Sequence, residues 1–318
     1  MLDSASFHFL IKTMADYQAV LDRVIDHIKP LLYQGTVADY IPALAEQSLG
    51  QFSIAIQTND GQSFSAGDID ARFTVQSVSK VMTLTMALQR YGDELWQRVG
   101  KEPSGTAFNS LTQLEFENGL PRNPFINAGA IVTCDALYSR LGAPIHTMLE
   151  HYRAQSGNDK VKINKRVAQS EFEHRYRNAA MAYLMKSFGN FNNDVEEVLW
   201  SYFNYCAIEL DCVELAKTFS YLSNQGYCQH SKQQLLTAKQ TKQLNSLLFT
   251  SGLYDAAGDF AYRVGMPGKS GVAGGIIAVL PNQFTVAVWS PGLDKVGNSV
   301  AGIAALEFLS EELGTAIF

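Results

Sequence analysis

Cysteine is scarce in this chain: Cys134, Cys206, Cys212 and Cys228 are the only four in 318 residues. None pairs with another at metal-ligand spacing, and a chain this long buries enough surface to fold without disulfides. They read as reduced, mostly buried thiols of a cytoplasmic protein. The six histidines are scattered, so no metal site is suggested. Clusters of Lys and Arg are also missing, and the net charge is −6. That argues against nucleic acid or an anionic membrane as a partner. No apolar run is long enough to span a bilayer. The first thirty residues lack the form of a signal peptide. There, Asp3, Asp16, Asp22 and Asp26 interrupt Leu10, Met14, Tyr17, Leu21, Val24, Ile25 and Ile28 in an amphipathic helix pattern. Linkers, repeats and low-complexity tracts are absent too. What remains, 47% hydrophobic and 18% charged, is a soluble globular chain with a substantial core.

The elements present fall into three regions. Gln51 to Thr58 alternates, Asn59-Asp60-Gly61 marks a tight turn, and Gln62-Ser63-Phe64-Ser65 returns, which predicts a hairpin. A second hairpin is expected where Ile276–Leu280 and Phe284–Ser290 flank Pro281-Asn282-Gln283. The chain closes on a helix pattern from Val300 to Leu313 that carries Leu306, Phe308 and Leu309. Between the hairpins, from about residue 78 to 250, the pattern is helical nearly throughout, with 175–188, 194–206 and 211–225 as clear stretches. The implied fold class is α/β (α+β): a mainly antiparallel sheet flanked by helices, with an inserted helical subdomain. A single domain, 1–318, is expected. Residues 1–76 plus 251–318 would form the sheet lobe and 77–250 the helical lobe, with the site in the cleft between them.

Two motifs carry chemistry. Ser77-Val78-Ser79-Lys80 follows an extended Phe73-Thr74-Val75 and precedes Val81 to Leu88, which is apolar all round as in a buried helix. The spacing puts a hydroxyl and an amine one helical turn apart on one face. A lysine there can act as the base that makes the serine a nucleophile, and the helix N-terminus favours an alkoxide-like oxygen. Spacing alone is more simply served by a serine cap with a lysine reaching to solvent. Far along the chain, Lys269-Ser270-Gly271 stands before Val272-Ala273-Gly274-Gly275. S-x-x-K combined with a distant K-[ST]-G is the mark of serine acyl-transfer sites in penicillin-binding proteins and class A β-lactamases.

A set of ordered blocks extends these motifs. Val37 to Pro42, Gln76 to Lys80, Gly100 to Gly105, Asn127 to Ile131, Ser170-Glu171, Arg177-Asn178, Tyr254-Asp255, Gly268 to Gly275, Ser290-Pro291 and Leu293 to Lys295 run from about residue 30 to 305. They resemble, in sequence and order, the serine-dependent glutaminases. The resemblance implies a serine β-lactamase/transpeptidase-like fold and hydrolysis of L-glutamine to L-glutamate and ammonia, with no cofactor. It also implies a homo-oligomer, dimer or tetramer. Carried over by position, Ser77 is the nucleophile and Lys80 its activating partner, with Tyr202 beside them to shuttle a proton. The backbone N–H groups of Ser77 and Val272 form the oxyanion hole, and Tyr40, Asn127, Glu171, Asn178 and Tyr254 contact the substrate. Lys269 and Ser270 support the cleft.

Such a set suits free glutamine. A buried Glu171 would partner the α-ammonium, while Asn127, Asn178 and tyrosine hydroxyls would donate to the α-carboxylate. Either Lys80 or Tyr202 could be the base. A free lysine is neutral only about once in 2,500 at neutral pH. Burial and a nearby cation, for which Lys269 is placed in the motif, would relieve that. Each residue also has a plain structural reading. Glu171 could be an exposed helix-start carboxylate, Asn127 an N-cap, Tyr202 core packing beside Trp200, Phe203 and Tyr205, Tyr254 a turn residue, and Tyr40 a packed loop aromatic. A β-lactamase or D-alanyl peptidase on the same fold, or a non-catalytic glutamine sensor, would share much of this pattern.

Overall fold

A computed structural model describes residues 16–105 and 110–317. Asp3, Leu10 and Met14 of the first helix pattern lie outside the described residues; Asp16 caps the helix that the rest of the pattern forms, α1 (Tyr17–Ile28). The chain continues through β1 (Ser53–Thr58), β2 (Ser63–Gly67), β3 (Phe73–Thr74), α2 (Ser79–Tyr91), α3 (Leu111–Phe116), α4 (Asn127–Tyr138) and α5 (Pro144–Ser156). Next come β4 (Lys162–Ile163), α6 (Lys165–Glu173), α7 (Tyr176–Ser187), α8 (Val195–Cys206), β5 (Ile208–Leu210) and α9 (Cys212–Thr218). After these follow β6 (Tyr227–Cys228), β7 (Gln233–Gln234), α10 (Ala238–Ser251), α11 (Ala257–Val264), β8 (Gly268–Ser270), β9 (Gly275–Leu280), β10 (Phe284–Trp289) and α12 (Val300–Leu313).

Both expected hairpins form, and they join into one antiparallel sheet of order β2-β1-β10-β9-β8. The seam is β1 against β10, with Ser53 opposite Trp289 and Thr58 opposite Phe284. Their turns place Gly61 and Asn282 at positive φ, where glycine and asparagine are least strained. Alternation then sorts the side chains. Ile54, Ile56, Ile276, Ala278, Val286 and Val288 pack with α1, α11 and α12. Ala55, Ile277, Val279, Ala287 and Trp289 enter the core of the helical region instead. Both faces are thus buried, and a one-residue slip in register would exchange the two sets.

In the helical region α2 is buried from Ser79 to Leu88 and α4 from Ala128 to Leu137. α4 lies against α2, α7 and α8. Three details depart from the sequence reading. Short strands β5 and β4 of this region form a second sheet with β3, which precedes it. The stretch 211–225 is not one helix: a capping box of Asp211 and Glu214 starts α9, a 3-10 turn covers Ser220–Leu222, and Gln225 and Gly226 at positive φ reverse the chain. Finally, α2 begins at Ser79, because Gln76–Val78 is a separate 3-10 turn.

Candidate active site

The serine turn is built between β3 and α2. Gln76 sits at φ 46°, a conformation a non-glycine residue holds only when its surroundings enforce it. Its side-chain amide donates to Thr74 Oγ1 at 3.2 Å. The loop after β8 presses on the same turn. A Cβ on Gly271 would lie 2.7 Å from the Val75 carbonyl oxygen and 3.4 Å from the Ser77 nitrogen. This close approach brings Val272 to the wall that Ser77 occupies, so the glycine of K-S-G serves the backbone. Gly271→Ala is expected to cost about 1–3 kcal/mol of stability and to lower kcat/KM at least tenfold. Thermal melts and steady-state kinetics check this, and an intact kcat/KM would refute the required approach.

Lys80 is fully buried. Its Nζ donates to Asn127 Oδ1 at 2.7 Å and to the Phe125 carbonyl at 3.1 Å. Burial lowers it to about 8, with Cys206 and Glu171 pulling the other way. Lys269, the cation the motif offered for this task, has a different setting. Its Nζ donates to the carbonyls of Gly252 at 2.8 Å and Ser270 at 2.7 Å and lies 4.5 Å from the centre of the Tyr254 ring. Burial first, and Lys80 second, push Lys269 well below the usual lysine range. Desolvation therefore tunes Lys80, and Lys269 ties β8 to the end of α10.

A cavity of about 370 Å³ lies in front of this pair. Tyr40, Ser77, Asn127, Glu171, Asn178, Tyr202, Tyr254 and Val272 all line it, so the fold brings together residues spread over most of the chain. Lys80, Lys269 and Ser270 lie behind the wall. Glu171 is not at a helix start: it is near the end of α6 and buried. The Tyr40 hydroxyl donates to its Oε1 at 2.6 Å. That hydroxyl is turned inward although the residue as a whole is 49% exposed. Burial raises Glu171 to about 7, opposed by the Tyr40 hydrogen bond, His174 and Lys80. Asn127 is not the cap of α4, which is Ile126. Its Nδ2 donates to Asn178 Oδ1 at 3.1 Å, linking Lys80 through Asn127 to α7. Tyr202 is buried against Phe203, rings 5.5 Å apart, and burial holds its hydroxyl well above the tyrosine range. Tyr254, at φ 52°, is also raised by burial, while hydrogen bonds with Ser77 and Ser270 act in the opposite sense.

Sequence reasoning assigned no role to Gln76, His174, Arg177 or Cys206, all of which line the cavity. Two had a signal. Arg177 precedes Asn178 and brings a cation to the wall, and Cys206 is one turn beyond Tyr202 on α8. Cys206 hydrogen-bonds Tyr202 and lies 3.7 Å from Ser79 Oγ. Burial pushes its thiol up to about 12, so it is a packing group and not a nucleophile. All four cysteines are free and buried. Among the described residues no group of His, Cys, Asp and Glu could hold a metal ion, and no helix is long and apolar enough to cross a membrane.

The glutaminase family model matches residues 35–318. The chain belongs to the glutaminase family. It is 71% identical over 303 residues to the glutaminase of Pseudoalteromonas translucida (strain TAC 125), covering 95% of this chain and 99% of that one. Among solved structures, the probable glutaminase ybaS superposes with a TM-score of 0.88 at 36% identity, over 95% of this chain and 97% of its own. The probable glutaminase from Bacillus subtilis, solved in complex with 6-diazo-5-oxo-L-norleucine, gives a TM-score of 0.84 at 30% identity, over 95% and 97% of the two chains. The fold is thus the β-lactamase-like one of bacterial glutaminases, as the resemblance implied.

Proposed function

We propose that this site hydrolyses the side-chain amide of L-glutamine through an acyl-enzyme on Ser77. The supporting observation is one cavity lined by Ser77 and Glu171, with Lys80 buried behind it. Ser77 Oγ attacks the amide carbon while its proton passes to Lys80. The N–H groups of Ser77 and Val272 receive the oxyanion. The proton then leaves with ammonia, and water cleaves the ester to free glutamate and restore Ser77. Magnitudes favour Lys80 over Tyr202 as base. At about 8, roughly one Lys80 in ten is neutral at pH 7, whereas burial makes the Tyr202 phenolate rarer than in water. Tyr202 then relays or steadies the proton. Ammonia release from L-glutamine, with nitrocefin left intact, tests this reading against a β-lactamase.

The titrations set a pH profile. Glu171 must be a carboxylate to hold the α-ammonium, which it is above about 7, and Lys80 must be neutral, which it is above about 8. The expected kcat/KM climbs as the pH is raised to about 8, more steeply below about 7 where both groups are in the wrong form. A flat profile across that range would contradict both roles.

Glu171→Gln keeps volume and removes charge. It should lower kcat/KM for glutamine about 30-fold to several thousand-fold and erase discrimination against N-acetyl-glutamine. The effect on stability has the opposite sign. A carboxyl raised from 4.5 to about 7 is favoured in its protonated form by the fold, so stability is lost as the pH rises through that window. Holding the carboxylate costs up to about 3 kcal/mol above pH 7. The variant should therefore melt a few degrees higher near pH 8, with little change near pH 5. A lower melting temperature near pH 8 would mean that the carboxylate is structural.

The free thiols support a cytoplasmic setting. Exposed Phe116, Tyr176, Tyr183 and Phe188, carried on or beside α3 and α7, support a homo-oligomer.

A further inference from the structure

In the proposed reaction the oxyanion is received by two N–H groups from distant parts of the chain. Ser77 follows β3, and Val272 lies on the loop between β8 and β9. Trp289, buried at the end of β10, touches both segments. Its Nε1 donates to the carbonyl of Ala273 at 2.8 Å, next in sequence to Val272. Its ring stacks on Phe73 of β3, with centroids 5.3 Å apart and planes 3° from parallel. The sheet register makes room for that stack. Gly275 stands opposite Trp289 across β9 and β10, and a Cβ there would lie 2.7 Å from Phe73 Cε2. The loop is closed on itself by Gly274 N–H to the Gly271 carbonyl at 2.9 Å and Gly271 N–H to the Gly275 carbonyl at 2.8 Å. Those bonds shape the loop, but they do not set where it stands against the serine turn. Gly271 permits the close approach, and the indole holds the two segments at it.

We propose that Trp289 is a positioning residue for the reaction: by stacking on Phe73 and donating to Ala273, it fixes the N–H of Val272 relative to that of Ser77. The inference rests on the acyl-enzyme reading above. Negative charge reaches the amide oxygen only in the transition state and the tetrahedral intermediate, so misaligned donors cost turnover and not substrate binding. A shift of about 1 Å caused from outside the site can cost about 100-fold in rate.

Trp289→Phe keeps an aromatic ring against Phe73 and removes the N–H. Its kcat for L-glutamine should fall at least about tenfold, while KM, and the calorimetric Kd of L-glutamate, stay within about threefold of wild type. Melting curves establish that the variant is folded at the assay temperature. Where it is not, an isosteric side chain at position 289 with sulfur in place of the indole N–H removes the donor alone. A lower melting temperature with unchanged kcat would make the tryptophan merely structural and overturn the proposal. So would a rise in KM that accounts for the whole loss of kcat/KM. A second arm needs no glutamine. A fluorophosphonate ester labels wild type as Ser77 Oγ displaces fluoride from phosphorus and its proton passes to Lys80; the same oxyanion donors assist, so labelling should slow at least about tenfold in the variant. Labelling of wild type without ammonia release would fault the glutamine reading alone and leave this arm to decide. Equal labelling rates in the two proteins, or no label on Ser77 in wild type, overturn the proposal.

Discussion

Ser77→Ala is expected to reduce glutamine turnover by about 10⁴ to 10⁶-fold while leaving substrate binding nearly intact. In the proposed mechanism the acyl ester forms on Oγ, and no other hydroxyl takes its place. Ser79, two residues on, is buried in α2 and makes its contact with Cys206. Removing the nucleophile of a catalytic unit costs about as much as removing the whole unit. The rest of the cavity, with Glu171, Asn127 and Asn178, is untouched, so a glutamine analogue should bind with a Kd within about threefold of wild type. Ammonia release and calorimetry measure the two quantities separately. Turnover within tenfold of wild type would remove Ser77 from the reaction. Equal losses of turnover and binding would mean that the serine turn had collapsed.

Lys80→Met should lower kcat by about 10⁴-fold, and it should do so without the large loss of stability that deleting a buried charged group often brings. The amine is fully desolvated, with burial as the main cause of its value near 8. Methionine fills a similar volume without that desolvation cost. What it removes is the proposed acceptor for the Ser77 proton and the donor to Asn127 and Phe125. The residual rate should lose the titration near 8, because its source is gone. Kinetics across the pH range decide the matter: a residual rate that keeps the same ascending limb would assign the base to another group, with Tyr202 the next candidate.

Much of the site was legible along the chain because its chemistry is concentrated in short motifs. Ser77 and Lys80 are close in sequence, so a helical turn is enough to associate them. Lys269 to Val272 are contiguous, the end of β8 running into a loop whose glycine is required by the backbone of the serine turn. Glu171, Asn127 and Tyr202 were different. Taken one at a time they read as a helix-start carboxylate, a helix cap and a core aromatic, and only the ordered resemblance argued otherwise. Their placement in one cavity depends on α8 packing against both α4 and α6 while α4 packs on α2, and these contacts link residues far apart in the sequence.

The sequence by itself determined the two hairpins, the buried character of α2, the closing helix and the serine–lysine pair, because each follows from local periodicity, turn chemistry or spacing. It did not determine where 211–225 breaks, since the reversal at Gln225 and Gly226 answers to contacts outside that stretch: a Cβ on Gly226 would lie 2.0 Å from the Leu236 carbonyl. Nor did it determine the charge states. Lys80 near 8 and Glu171 near 7 are products of desolvation, and desolvation exists only when the layers have closed over both groups. The motif offered Lys80 as one of two candidate bases and the resemblance offered Glu171 as the carboxylate, but tertiary burial brings both titrations into the range near neutral pH.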